Sequence, residues 1–287
     1  MECKKIAVAV SLDSDTEAVV AYAAWLADAC GKGVKLVLLH VMDYALTPPA
    51  YLLRYIEDEK VQKTEILNRL SCKLVEEHHI DAGHEVVLGR LTDAVRSYVR
   101  ENKCDVLVLG YKHHMVRASS AGRLIRSLRR PMLVVRGERS SGAFSVNRIQ
   151  HILCPIDFSD NSVKALKWAA HFARCCSARL SVMHIEPEYD MPHVSAGPDE
   201  TAVSERAAVS ACSDMSGLIR EIDPELRPDT VVRRGDPVAI INEFSSDKDI
   251  DLIVMGARGK SFFEGLLLGS VSESVIRSSL CSVFIVH

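Results

Sequence analysis

The chain has 287 residues, 48% of them apolar and 25% charged, with a formal charge of -3. That balance fits a globular protein with one large core or two small ones, and it offers no basic excess for nucleic acid. No run approaches the ~20 apolar residues of a membrane helix, and Met1-Glu2-Cys3-Lys4-Lys5 leads into a strand-like run without a small-residue cleavage site, so a cytoplasmic protein with neither nucleic-acid nor membrane partner is expected.

The first apolar run, Lys4-Lys5-Ile6-Ala7-Val8-Ala9-Val10, reads as a strand that ends at Ser11, and Leu38-Leu39-His40-Val41 belongs to the next. A turn glycine follows at Gly89, a strand from Asp105 to Gly110, and Pro131-Met132-Leu133-Val134-Val135 closes the series. Residues 136–147, with Gly137, Ser140, Ser141 and Gly142, carry no apolar period and read as a linker. The series then repeats. Gln150-His151-Ile152-Leu153-Cys154-Pro155-Ile156 answers the first strand at an offset of 146 residues, Gly235 answers Gly89, and Asp251–Gly256 answers Asp105–Gly110 at the same offset. Val182-Met183-His184-Ile185 answers Leu38–Val41 at 144, and Ser282-Val283-Phe284-Ile285-Val286 answers the last strand at 151. An internal duplication of this kind predicts two domains, residues 1–137 and 148–287. The first copy is five residues shorter between Gly110 and Ala118.

In the second copy strands are predicted at about 150–156, 179–185, 229–233, 251–255 and 282–286. Little alternation interrupts these Val-, Ile- and Leu-rich runs, which suits a parallel sheet covered on both faces. Between the first two, Val163, Leu166, Ala169, Ala170 and Ala173 recur at helical spacing behind the N-cap candidates Ser159 and Asp160. The predicted fold class is therefore α/β, two tandem doubly wound sandwiches. Residues 186–199 are polar, contain three prolines and read as a loop above the sheet.

The most informative motif follows the fourth strand of the second copy: Met255-Gly256-Ala257-Arg258-Gly259, nine residues, then Gly269-Ser270-Val271-Ser272. Side-chain-free positions at a strand end and at a helix mouth let backbone amides reach a phosphate, and the helix start adds unpaired N–H groups and a positive dipole end. A Cβ at Gly256 or Gly259 is expected to block that approach. Asp157 ends the first strand of the same copy, where an open parallel sheet binds ligands. Its carboxylate suits a hydrogen bond from adenine or ribose, and the alternative is an Asx turn or cap before Ser159. Arg258 reads as a phosphate ligand or a solvated loop charge, and Ser270 as a phosphate ligand, a plain N-cap, or both. Nine cysteines, none at C-x-x-C spacing, read as reduced and mostly buried thiols, and the adjacent Cys175-Cys176 as helix packing. The adjacent pairs His78-His79 and His113-His114 lack zinc-site spacing.

Ile152-Leu153-Cys154-Pro155-Ile156-Asp157-Phe158-Ser159, the turn Gly235-Asp236-Pro237, the strand Asp251–Gly256 and the glycine loop through Ser270 together resemble the universal stress protein family, as a tandem covering essentially the whole chain. The resemblance implies five-stranded parallel sheets of order 3-2-1-4-5, of the adenine nucleotide alpha hydrolase-like kind. In the family's ATP-binding branch it implies a nucleotide held without obligatory turnover, as ATP with or without Mg2+. Asp157, Gly256, Arg258, Gly259, Gly269, Ser270 and Val271 would then hold ATP, and Ile185 or Glu186 would touch adenine, although Ile185 equally suits the core. In the first copy Ser11 stands for Asp157, Gly110-Tyr111-Lys112-His113 for the glycine loop and Ala118-Ser119 for Gly269-Ser270. A shortened loop without the carboxylate is expected to bind ATP poorly or not at all.

A nucleotide-dependent regulatory module in stress response is the leading expectation. A nucleotide-free interaction protein, with the apolar Phe262-Phe263 and Leu266-Leu267-Leu268 as docking surface or folded lid, is the alternative, together with a slow ATPase. No general base is evident beside the loop, so no catalytic residue is expected. By resemblance to single-domain relatives, a homodimer or an intramolecular pseudo-dimer is implied, with an unidentified protein partner.

Overall fold

The computed structural model describes residues 3–43, 51, 53–111, 120–136, 149–186, 199–259 and 267–287. The chain divides into two compact units, Met1–Arg148 and Ile149–His287. In the first, the elements run β1 (Lys5–Ala9), α1 (Thr16–Cys30), β2 (Lys35–Asp43), α2 (Leu53–His78), β3 (Asp81–Gly89), α3 (Leu91–Glu101), β4 (Val106–Gly110), α4 (Ser120–Ile125) and β5 (Met132–Val135). In the second they run β6 (His151–Ile156), α5 (Asp160–Cys176), β7 (Arg179–Glu186), α6 (Asp199–Ile222), β8 (Asp229–Arg234), α7 (Pro237–Asp247), β9 (Leu252–Gly256), α8 (Ser270–Ser278) and β10 (Ser282–Val286).

Within the first unit the strands lie in the order β3-β2-β1-β4-β5, and within the second β8-β7-β6-β9-β10. Pairing is parallel: Ile6 sits beside Leu36 and Val106, and Ile152 beside Leu180 and Leu252. Helices on both faces leave the central strands no solvent side. Ile6, Val8, Leu107 and Val108 in one unit, and Ile152, Leu153, Ile253 and Val254 in the other, are accordingly fully buried. In the second unit Phe172 of α5 meets Phe284 of β10 edge-on, ring centres 5.2 Å apart, and Trp168 lies 5.0 Å from Phe284. Each buried Phe of this sort contributes on the order of 1.5–3 kcal/mol through area removed from water.

Matching polar contacts mark the duplication. Asp105 Oδ2 accepts from the amides of Lys4 and Lys5 at 2.8 and 3.0 Å, and Asp251 Oδ2 accepts from Gln150 and His151 at the same distances. Each carboxylate ties the foot of its fourth strand to the foot of the first. His40 Nδ1 donates to Val10 O at 2.9 Å, and His184 Nδ1 donates to Ile156 O at 2.8 Å. The residue two after the end of each pairing, Leu12 or Phe158, takes a left-handed conformation with φ of 59° or 62°. A bulky side chain there is costly. Because both units keep it, the bend belongs to the fold, where it turns the chain from the first strand into the first helix.

Candidate functional site

The chain leaves β6 toward β7 on one side of the second sheet and returns to β9 on the other, so β6 and β9 flank the switch point where such sheets bind ligands. Asp157, the first residue beyond β6, lies there. Its Oδ1 accepts from Ser159 N at 3.1 Å and from Ser159 Oγ at 2.6 Å, so the Asx turn considered from sequence is present. Ser159 is the N-cap of α5, its Oγ accepting from Ser162 N at 3.4 Å, and the same hydroxyl lies 3.4 Å from Arg258 O. The strand-one turn, the start of α5 and the loop after β9 are thus held by one hydroxyl.

Gly256 and Gly259 make close approaches to protein atoms, and Gly269 makes only ordinary contacts. At Gly256 a Cβ would sit 2.9 Å from the carbonyl carbon of Asn161 and 3.0 Å from Ser162 N, so this position is glycine to let the start of α5 pack on the end of β9. The packing of α5 is thus a reason for glycine here beside the phosphate approach expected from sequence. At Gly259, which is exposed, a Cβ would collide with Asp157 Oδ2. The second carboxylate oxygen therefore faces the bare backbone of the loop. At Gly269 a Cβ would lie 3.4 Å from Ala257 O and 3.5 Å from Arg258 Cα.

Gly269, not Ser270, is the N-cap of α8, and no side chain caps that end. The Gly269 amide is taken by Ala257 O at 2.8 Å, while the first amide bonded within the helix is that of Glu273, to Gly269 O at 2.9 Å. Between them the amides of Ser270, Val271 and Ser272 precede the first intrahelical bond and stand at the positive end of a nine-residue helix. Ser270 is exposed and Val271 half-buried. Ser272 is buried and its Oγ donates to Gly256 O at 2.8 Å, which locks the helix mouth to the strand end. Sequence reasoning assigned Ser272 no such role, although it lies within the quoted Gly-Ser-Val-Ser, because only the fold reveals the carbonyl it meets.

Arg258 is half-buried beside Gly259, and Ile185 is half-buried near the end of β7, paired in register with Arg233 of β8. These two elements meet the switch point from opposite sides of β6. His184 was a landmark of the repeat without an assigned task. Its ring lies against that of Phe158, next to Asp157, with ring centres 4.9 Å apart and planes tilted by 53°. Of the apolar loop, Leu268 is buried and Leu267 half-buried, whereas Phe262, Phe263 and Leu266 lie outside the described residues. The loop at 186–199 and the linker at 136–147 are also outside them, apart from Arg136 at the linker's start and Glu186 and Asp199 at the loop's ends.

In the first unit Ser11 is exposed where Asp157 stands in the second, and Gly110 would meet only Val19 Cγ2, at 3.1 Å. Helix α4 has six residues against nine in α8, and Ala121 occupies the place of Ser272. Lys112, His113, Arg117, Ala118 and Ser119 lie outside the described residues. Among the described residues no helix is long and apolar enough to cross a membrane, and no three His, Cys, Asp or Glu side chains converge as a metal-binding group. None of the nine cysteines, all among the described residues, is in a disulfide, and only Cys3, Cys104, Cys154 and Cys281 are buried, fewer than expected.

Comparison with known proteins agrees with this duplicated geometry. The model of the universal stress protein family matches residues 2–136 and again 148–287. A universal stress protein of Methanocaldococcus jannaschii is 31% identical over 143 residues, covering 49% of this chain and 83% of its own. One from Bacillus subtilis is 28% identical over 163 residues, covering 47% of this chain and 97% of its own. The crystal structure of a universal stress protein from Archaeoglobus fulgidus superimposes on 99% of this chain and 96% of its own, with a TM-score of 0.70 at 17% identity, which shows a common fold. Two matched domains, each with the same five-strand order, therefore identify the chain as a member of the universal stress protein family.

Proposed function

We propose that the second unit binds one ATP, with or without Mg2+, and that the protein works as a nucleotide-dependent regulatory module in stress response. The observation that carries this reading is the trio of amides at Ser270, Val271 and Ser272, without intrahelical partners, at the dipole-positive mouth of α8. An anionic tail there would meet three N–H groups, the Ser270 hydroxyl and the Arg258 guanidinium. Gly259 and Gly269 keep the loop low enough for this, and Asp157 would accept a hydrogen bond from the ribose or base through Oδ2. Ile185 would border the adenine. The first unit, with Ser11 for the carboxylate and a six-residue α4, would bind ATP poorly or not at all.

Binding changes what the protein does only if ATP favours one conformation over another. The loop bridging β9 and α8 is the element positioned to feel it, since Arg258 O and Ala257 O already contact the strand-one turn and the helix mouth. One observation favours a nucleotide-free interaction protein: Gly256 and Gly259 have protein atoms in their Cβ space. Mass spectrometry of ligand released from protein purified without added nucleotide separates the two. ATP or ADP at about one per chain is the expected result, and no nucleotide together with no thermal shift in millimolar Mg-ATP supports the interaction protein.

A further inference from the structure

We propose that His184 reads the base in the second unit, its Nε2 accepting a hydrogen bond from the exocyclic amine of adenine. The inference rests on the reading that this unit holds an adenine nucleotide. Its starting point is the bond from His184 Nδ1 to Ile156 O at 2.8 Å. A carbonyl oxygen only accepts, so the proton sits on Nδ1 and, in the neutral ring, Nε2 carries a lone pair. Among the described residues no group hydrogen-bonds to Nε2, and it is not sealed off as a buried orphan atom either. The ring thus presents one fixed acceptor.

Its surroundings suit a purine. His184 is half-buried at the C-terminal end of β7, next to β6 and one residue before Ile185. Phe158 lies against it, ring centres 4.9 Å apart, and adjoins Asp157. The two rings, tilted by 53° beside a carboxylate, give an apolar corner with acceptors at its edge, and the acceptors demand hydrogen-bond donors. The 6-amine of adenine is such a donor. The 6-oxo group of hypoxanthine or guanine would oppose its own lone pairs to Nε2 and leave the site unpaired, and sites of this kind discriminate strongly.

The first unit separates the fold role from the binding role. His40 makes the equivalent bond to Val10 O, but Leu12 replaces Phe158 and Ser11 replaces Asp157, and His40 is buried to 9% exposure. Tying the second strand to the first accounts for Nδ1 in both units. The tilted aromatic contact, the neighbouring carboxylate and an Nε2 without a hydrogen-bond partner among the described residues coincide in the second unit.

The test is titration of the full chain with ATP and with inosine triphosphate, which carries a 6-oxo group and a protonated N1 in place of the amine and bare N1. Wild-type protein is expected to prefer ATP by about tenfold or more. His184→Leu and His184→Phe, the second retaining a ring against Phe158, are expected to bring the ratio of affinities near one by weakening ATP alone, and His40→Leu to leave it unchanged. A wild-type ratio near one overturns the proposal without any variant. So does an unchanged preference in either folded His184 variant, and in that case ATP binding itself still stands. Failure of wild-type protein to bind ATP overturns both this proposal and the reading beneath it.

Discussion

Gly259 and Asp157 are 102 residues apart in sequence, yet the bare Cα of one is packed so closely on Oδ2 of the other that no side chain fits between them. Gly259→Ala is expected to push the carboxylate or the loop aside and to weaken ATP binding by about 1–3 kcal/mol. In an Asp157→Ala background the same change should cost much less, because its collision partner is gone. Calorimetric titration of the four proteins measures this coupling, and strictly additive losses would mean that the two residues act on the ligand independently.

Gly256→Ala should behave differently. Its Cβ would meet backbone atoms of Asn161 and Ser162, which cannot rotate away, so the second unit should lose about 1–3 kcal/mol of stability. Urea denaturation gives the loss directly. ATP affinity per folded molecule should change less than for Gly259→Ala.

Asp105 and Asp251 provide a matched pair across the duplication. Removing either carboxylate takes the partner from one exposed and one part-buried backbone amide, and Asp105→Ala and Asp251→Ala should each destabilise their own unit by about 1 kcal/mol. Limited proteolysis in urea, which reports on the two units separately, should show one weakened half in each variant.

Acid should weaken both units. His40 and His151 are held below the ordinary histidine value, chiefly by burial, with Lys63 adding to this for His40 and Arg179 for His151. His151 Nδ1 donates to Lys248 O at 3.1 Å, and Nε2 accepts from Ser181 Oγ at 2.8 Å. Below about pH 6.5 the unfolded chain takes up protons that the folded one still refuses, so stability falls as pH drops and is fully present above that value. His151→Gln should flatten the fall for the second unit between pH 7.5 and 5.5, read from denaturation midpoints.

Much of the fold was legible because parallel strands covered on both faces are continuous apolar runs. The predicted strand at 251–255 is β9 at Leu252–Gly256, and that at 282–286 is β10, both buried throughout. Ser159 as the cap of α5 was equally legible, since capping is local chemistry. The glycines were not legible in the same way. Their spacing suggests that a side chain is unwelcome at 256, 259 and 269, but whether and by what it is excluded is a fact of the fold: a helix start excludes it at Gly256 and a carboxylate at Gly259, while at Gly269 a Cβ would make only ordinary contacts with the loop's backbone. Ser270 fell one position away from the cap because Ala257 O draws the Gly269 amide and sets where α8 begins.

Titration of the full chain with Mg-ATP, wild type beside Gly269→Asp and Ser11→Ala, is the most direct test. The account requires one site per chain, lost in Gly269→Asp, whose carboxylate would repel phosphate at the mouth of α8, and unaltered in Ser11→Ala. Two equal sites, or one site that survives Gly269→Asp in folded protein, would contradict it.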